Sequence, residues 1–255
     1  NGLVAWNWLG ANGTASNSDG GINSTVSVNN TAGFSIVKYG TGTGSATTVG
    51  HGLNAKPNFI IVKPLGTITT GGWIVGGDNI DSTYNNVLNL DESSAKANDP
   101  SFNDTAPTSS VFSVGNNNTN RSGENYIAYC FVEKKGYSKF GSYTGNGSTD
   151  GPFVYTGFKP AWVMTKRTDN TGDWAMMDNK RPNEFNVVQN YLKAQASDTE
   201  QTDDSFNIDI LSNGWKARYN NGNYNASGGS YIYMAFAENP FVANDSGTAV
   251  PVTAR

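Results

Sequence analysis

Period-two alternation of apolar and polar positions runs through the chain and predicts strands, because successive side chains of an extended backbone point to opposite faces. Asn58-Phe-Ile-Ile-Val-Lys63 places Phe59, Ile61 and Lys63 on one side of a strand, and Ala161-Trp-Val-Met-Thr-Lys166 places Trp162, Met164 and Lys166 on the same side of another. The lysines are expected to emerge where each strand leaves the core. Tyr126–Glu133 and Tyr231–Glu238 form a second matched pair, in which Ile127, Tyr129 and Phe131, and likewise Ile232, Met234 and Phe236, share what is predicted to be the core face. Turn signals at Gly42-Thr-Gly44, Asn146-Gly147, Asn213-Gly214 and Gly228-Gly229 recur at spacings suited to hairpins. Only Asn183–Ala196, with Phe185, Val188 and Tyr191-Leu192, suggests a short helix. The predicted fold is all-β: two tandem antiparallel sandwiches of jelly-roll type.

The tandem arrangement follows from an internal repeat. Tyr39-Gly-Thr-Gly matches Tyr143-Thr-Gly-Asn, the run ending at Lys63 matches the run ending at Lys166, and Trp73 followed by Asp78 matches Trp174 followed by Asp178. With the closing strands these anchors share an offset of roughly a hundred residues, a typical domain length. Residues 31–135 are read as one copy and 136–241 as the second. Leu3–Trp8 resembles the closing strand of a third, partial copy over 1–9, the Gly-, Asn- and Ser-rich stretch 10–30 reads as a linker, and 242–255 reads as an extension. The start at Asn1 within a strand-like run suggests a fragment or a processed product.

The chain has 255 residues, of which only 15% are charged and 30 are glycine. A net charge of −4, with 17 basic residues scattered singly, offers no stripe to neutralise a run of phosphates, so nucleic acid is disfavoured as a partner. No apolar stretch approaches the roughly 18–20 residues of a membrane helix, so membrane insertion is not expected.

Candidate chemistry is sparse, and the repeat filters it. His51 is the only histidine, and the second copy has Thr156 in its place, so it reads as a turn residue rather than a general base. Cys130 faces Ala235 in the alignment and reads as a small buried residue. The acids Asp78, Asp91-Glu92, Asp178, Asp203-Asp204, Glu133 and Glu238 sit in no glycosidase-like motif, and no catalytic residue or cofactor is expected. Asp169-Asn-Thr-Gly-Asp173 is dense in oxygen ligands, which makes Asp169 and Asp173 a weak calcium candidate without EF-hand spacing; a hairpin loop is the alternative. Carbohydrate contact needs aromatic rings flanked by amides or charges, and Trp215, Arg218, Tyr219 and Tyr224 in an Asn-rich surrounding supply them. Trp162 and Trp174 read as core.

Several runs carry a family resemblance: Val4-Ala-Trp-Asn-Trp8, Thr31–Val37, Val49-Gly-His-Gly-Leu53, Tyr126–Phe131, Gly136–Gly145, Gly151–Pro160 and Tyr231–Glu238. In these the chain resembles the tandem β-rich repeats of tail-fibre and related virion proteins of marine bacteriophages, over most of its length to about Phe241. The resemblance implies a non-enzymatic protein of the virion surface, extracellular to the host, acting in attachment through multivalent contact with host-surface glycans. It further implies a homo-oligomer, most often a trimer, in company with other virion proteins. A purely structural or decoration role is the alternative, and a polysaccharide-degrading enzyme a third.

Overall fold

The computed structural model describes residues 3–40, 42–66, 72–115, 118–181, 186–202 and 206–240. It is all-β and antiparallel, and it divides into two compact units. Unit 1 comprises residues up to Gly77, Thr83–Asn85 and Asp99–Val132; unit 2 comprises Asp78–Ser82, Asn86–Asn98 and the residues from Glu133 onward. Among the described residues no helix is long and apolar enough to cross a membrane.

Unit 1 contains β1 (Ala15–Asn17), β2 (Ser24–Asn29), β3 (Phe34–Tyr39), β4 (Thr47–Gly50), β5 (Phe59–Pro64) and β6 (Ile74–Gly77), followed, after the two strands given to unit 2, by β9 (Val111–Val114) and β10 (Tyr126–Phe131). Its main sheet runs β1-β2-β3-β10-β5-β6, and β4 pairs with β9 as a second layer. The layers meet where the Tyr39 and Phe112 rings pack edge to face, 6.0 Å between centroids.

Unit 2 contains the hairpin β7 (Asn86–Asn89) and β8 (Ala97–Asn98), then β11 (Ser138–Thr144), β12 (Phe153–Tyr155), β13 (Pro160–Arg167), β14 (Ala175–Asp178), β15 (Tyr191–Lys193), β16 (Ile208–Leu211), β17 (Gly214–Ala217) and β18 (Ser230–Ala237). A five-stranded sheet β11-β18-β13-β14-β15 packs on a three-stranded sheet β12-β17-β16. Between them lies one core that includes Val163, Met177, Phe206, Trp215, Tyr224, Tyr231 and Tyr233.

The duplication is visible in the topology. The order β3-β10-β5-β6 of unit 1 recurs as β11-β18-β13-β14 in unit 2, and the pair β4-β9 recurs as β12-β17. Both copies also turn through a positive-φ glycine before the second central strand, Gly52 at 73° and Gly157 at 83°, a backbone region that a Cβ disfavours.

Four expectations are corrected. The sandwich interior is formed by the opposite face of the closing strand from the one predicted: Tyr126, Ala128 and Cys130 point inward with Ile60 and Val62, whereas Ile127 and Tyr129 are half-buried on the outer face. Residues 10–30 are not a linker, because β2 pairs with β3 from Ser24 to Asn29 and β1 extends that sheet, with Ile22 and Val26 buried. Residues 3–9 form no strand, and Leu3 and Leu9 are exposed. In place of the predicted helix, the described residues 186–196 carry β15 and a bridge from Val188 to Ile208. Asn183–Phe185, Asp203-Asp204 and the extension 242–255 lie outside the described residues.

Candidate functional site

Polar chemistry is concentrated at the same end of both copies and is nearly identical in each. Tyr39 stacks on Tyr126 with centroids 5.2 Å apart, and Tyr143 on Tyr231 at 5.0 Å. The Tyr39 hydroxyl donates to Thr119 O at 2.7 Å, as Tyr143 donates to Tyr224 O at 2.8 Å. Backbone N–H groups of Arg121 and Ala226 donate to the hydroxyls of Tyr126 and Tyr231, both at 2.8 Å. Burial holds the Tyr39 and Tyr143 phenols well above their ordinary pKa, so they remain protonated donors. At the centre sits a fully buried asparagine, Asn120 or Asn225. Asn120 accepts from Thr43 N and donates to Ser45 O; Asn225 accepts from Asn146 N and donates to Ser148 O and Tyr219 O. These side chains stand in for backbone partners that two adjacent loops would otherwise lack. The network is structural, since every polar atom described in it is turned onto the protein itself.

His51 and Thr156 do the same job. Leu53 N donates to His51 Nδ1 at 3.2 Å, and Phe158 N donates to Thr156 Oγ1 at 3.4 Å, each closing the turn at the positive-φ glycine. Nδ1 is therefore an acceptor, the proton lies on Nε2, and that nitrogen faces Thr108 O at 3.3 Å. Burial depresses the imidazole pKa below 6.5. A base depressed in the folded state takes up its proton first in the unfolded chain, so its stabilising contribution is complete above pH 6.5 and is lost as pH falls from 6.5 toward the folded pKa. His51→Thr, which borrows the other copy's solution, is expected to keep the fold and remove this acid sensitivity, as measured by denaturant midpoints between pH 7 and 5. Equal midpoint shifts in variant and wild type would refute it. Cys130 is fully buried, and burial pushes its thiol pKa up, as for an inert core cysteine.

The proposed sugar-contact residues do not form one surface. Trp215 and Tyr224 are fully buried: Trp215 packs edge to face on Tyr143 at 5.1 Å, and Tyr224 donates to Asn207 O at 2.8 Å and packs on Phe206. No ligand ring can stack on them, which corrects that expectation. Tyr219 is 37% exposed, and Arg218 is exposed, its guanidinium 3.4 Å from Asp209. Among the described residues, the large exposed aromatics of unit 2 that composition did not single out are Phe153 and Tyr155, at 46% and 63%. They flank inward-pointing Val154 on β12, and Phe153 lies opposite Lys216, which itself lies opposite Asp209. Their signal was the alternation in Pro152-Phe-Val-Tyr-Thr156.

The acids are engaged by cations and amides. Asp169 binds Arg167 at 2.8 Å; Asp173 accepts from Gln195 at 2.6 Å and lies 3.5 Å from Lys193, so the two calcium candidates turn to separate partners. Among the described residues no group of three or more His, Cys, Asp or Glu is placed to hold a metal ion. Glu133 pairs with Lys139, Glu238 with Lys159 and Lys180, and Asp178 with Arg181.

The repeat anchors Lys63/Lys166 and Trp73/Trp174 meet in space. Lys63 Nζ lies 5.2 Å from the Trp73 ring centroid, and Lys166 Nζ lies 6.0 Å from that of Trp174. Lys63 and Trp73 are half-buried, whereas Lys166 and Trp174 are fully buried within unit 2. Lys166 donates to Ser93 O, Ser94 O and Arg167 O at 3.2, 2.8 and 2.6 Å. This corrects the expectation that both lysines emerge from the core.

Fold and network together define a protein built from a duplicated antiparallel β-sandwich. The chain belongs to the DUF7483 family, a domain of unknown function, whose model matches residues 1–240 and so spans both copies. No curated protein and no solved structure matches it.

Proposed function

We propose that this chain is a non-enzymatic structural segment of a virion surface appendage of the tail-fibre type, built to repeat rather than to catalyse. The observation that carries the non-enzymatic part is the equivalence of the copies: they share a buried tyrosine–asparagine network and a lysine–tryptophan pair, and of the acids they share, Glu133, Glu238 and Asp178 are ion-paired with Lys139, with Lys159 and Lys180, and with Arg181. The one histidine and the one cysteine are replaced by Thr156 and Ala235 without change of local structure. The resemblance of the repeat runs to phage virion proteins supports the appendage. Immuno-electron microscopy of purified virus particles, with antibody raised against the recombinant chain, is expected to label the fibres. Particles that carry no label would overturn the reading.

Attachment to host glycans is the second reading. It is favoured by the outer face of β12-β17-β16, where Phe153 and Tyr155 stand beside Lys216 and Asp209, an arrangement suited to stacking on pyranose faces with polar groups at the rim. Phe153→Ala/Tyr155→Ala is expected to abolish glycan-array signal with an unchanged denaturation midpoint. Retained signal would remove this face from the site.

A further inference from the structure

We infer that the outer face of unit 1 around Lys63 and Trp73 is an acceptor for segment 192–200 of a second copy of this chain, so that copies associate head to tail. Unit 2 contains the closed form of this contact. There the β7–β8 hairpin, which comes from the first sequence copy, covers the lysine–tryptophan pair: Ser93 O and Ser94 O accept hydrogen bonds from Lys166 Nζ, Asn89 O accepts from Trp174 Nε1 at 2.7 Å, Lys96 N donates to Thr168 O at 3.0 Å, and Gly172 N donates to Ser93 O at 2.9 Å.

Both halves of this contact recur in the sequence. On the acceptor side, Lys63 and Trp73 repeat the pair, and Leu65, the equivalent of Thr168, is 47% exposed. The register aligns Leu65 with Thr168 independently, since Leu65 N donates to Asn125 O as Thr168 N donates to Ser230 O. Ile36, Ile127 and Tyr129 on the same face are half-buried, where their equivalents Phe140, Ile232 and Met234 are buried. These half-buried apolar side chains, with Leu65 exposed beside them, are the surface that the second copy covers in this reading.

On the donor side, Val87 pairs with Ala97 and Tyr191 with Gln201, so the two hairpin loops have equal length: Leu88-Asn-Leu-Asp-Glu-Ser-Ser-Ala-Lys96 and Leu192-Lys-Ala-Gln-Ala-Ser-Asp-Thr-Glu200. Ser197 and Asp198 then stand where Ser93 and Ser94 stand, and Ala196–Thr199 are exposed. Asp198, 51% exposed and 3.3 Å from Lys193, is the acid of this segment suited to Lys63, whereas Glu200 is held by Arg181 at 2.8 Å. One donor and one acceptor are joined inside each chain. The remaining acceptor and donor are different surfaces, so their union is heterologous and propagates into a ring or a filament.

The inference rests on the duplicated sockets and is independent of the virion reading. A chain that labels fibres yet stays monomeric would sink it and leave that reading intact. Sedimentation velocity of the whole chain is expected to show association that rises with concentration and is weakened about tenfold or more by Lys63→Glu. A single monomeric species up to about 1 mM, or association indifferent to Lys63→Glu, would overturn it. As a second measurement, Leu65→Cys and Glu200→Cys chains are mixed and oxidised, with Thr168→Cys/Lys96→Cys as the intrachain control. The mixture is expected to yield the mixed disulfide dimer in excess of either homodimer, and no such excess, with the control closed, would also overturn it.

Discussion

Asn225→Ala is expected to destabilise unit 2 by about 3–5 kcal/mol, and Asn120→Ala to do the same to unit 1, because each removes a fully buried amide that bridges two loops from inside. Asn225 is fully buried, and its loss leaves Asn146 N, Ser148 O and Tyr219 O without their partner, each such group costing about 1–3 kcal/mol when water cannot replace it. Asn225→Asp keeps the acceptor but loses the donor and introduces a buried charge, so it is expected to be no milder. Tyr219→Ala, on the exposed side of the same loop, is expected to change stability by less than about 1 kcal/mol. Urea denaturation followed by tryptophan fluorescence separates these outcomes. If Asn225→Ala and Tyr219→Ala shift the midpoint equally, the buried amide is not what holds the loops.

The repeat was legible because its anchors are contacts. Tyr39 with Tyr126, Tyr143 with Tyr231, and each lysine with its tryptophan touch in the fold, so their shared offset reflects one packing scheme used twice. The inner face was not legible from alternation because the closing strand of unit 2 is buried on both sides: Tyr231, Tyr233 and Ala235 line the core while Ile232, Met234 and Phe236 are buried outside it. A strand covered on both faces reads as a continuous apolar run, and periodicity then loses its sign. Composition misplaced Tyr224 and Trp215 for a related reason. Asparagines around Tyr224 suggest an open loop, but Asn225 folds inward and Tyr224 reaches back to Asn207 O just before β16, a contact that local sequence does not encode. The opposite error affected residues 10–30, where Ile22 and Val26 are the buried apolar residues, Ser24 is buried on Gly50 O, and β2 is held by its ladder to β3.

Lys166 should show the other large effect, and its two copies should differ. Lys166→Ala removes the ammonium donor from Ser93 O, Ser94 O and Arg167 O, of which Ser93 O keeps Gly172 N, and removes the methylene stem beside Trp174, which is expected to cost about 3–5 kcal/mol. Lys63→Ala, at a half-buried position, is expected to cost less than about 1 kcal/mol. The pH dependence separates charge from packing. Burial pushes the Lys166 ammonium down to about 8 from its ordinary 10.5, against the attraction of Asp173. Below pH 8 folded and unfolded chains are both protonated at this site, and the cost of burying the charge is constant. Between about pH 8 and 10.5 the unfolded lysine keeps a proton that the folded one has released, so the contribution of this residue to stability rises with pH across that window. Lys166→Met, of similar length and without charge, should therefore give a flatter stability profile than wild type between pH 8 and 10.5 in urea titrations. Parallel profiles would mean that the three carbonyls hold the proton on Lys166 throughout, outweighing its burial.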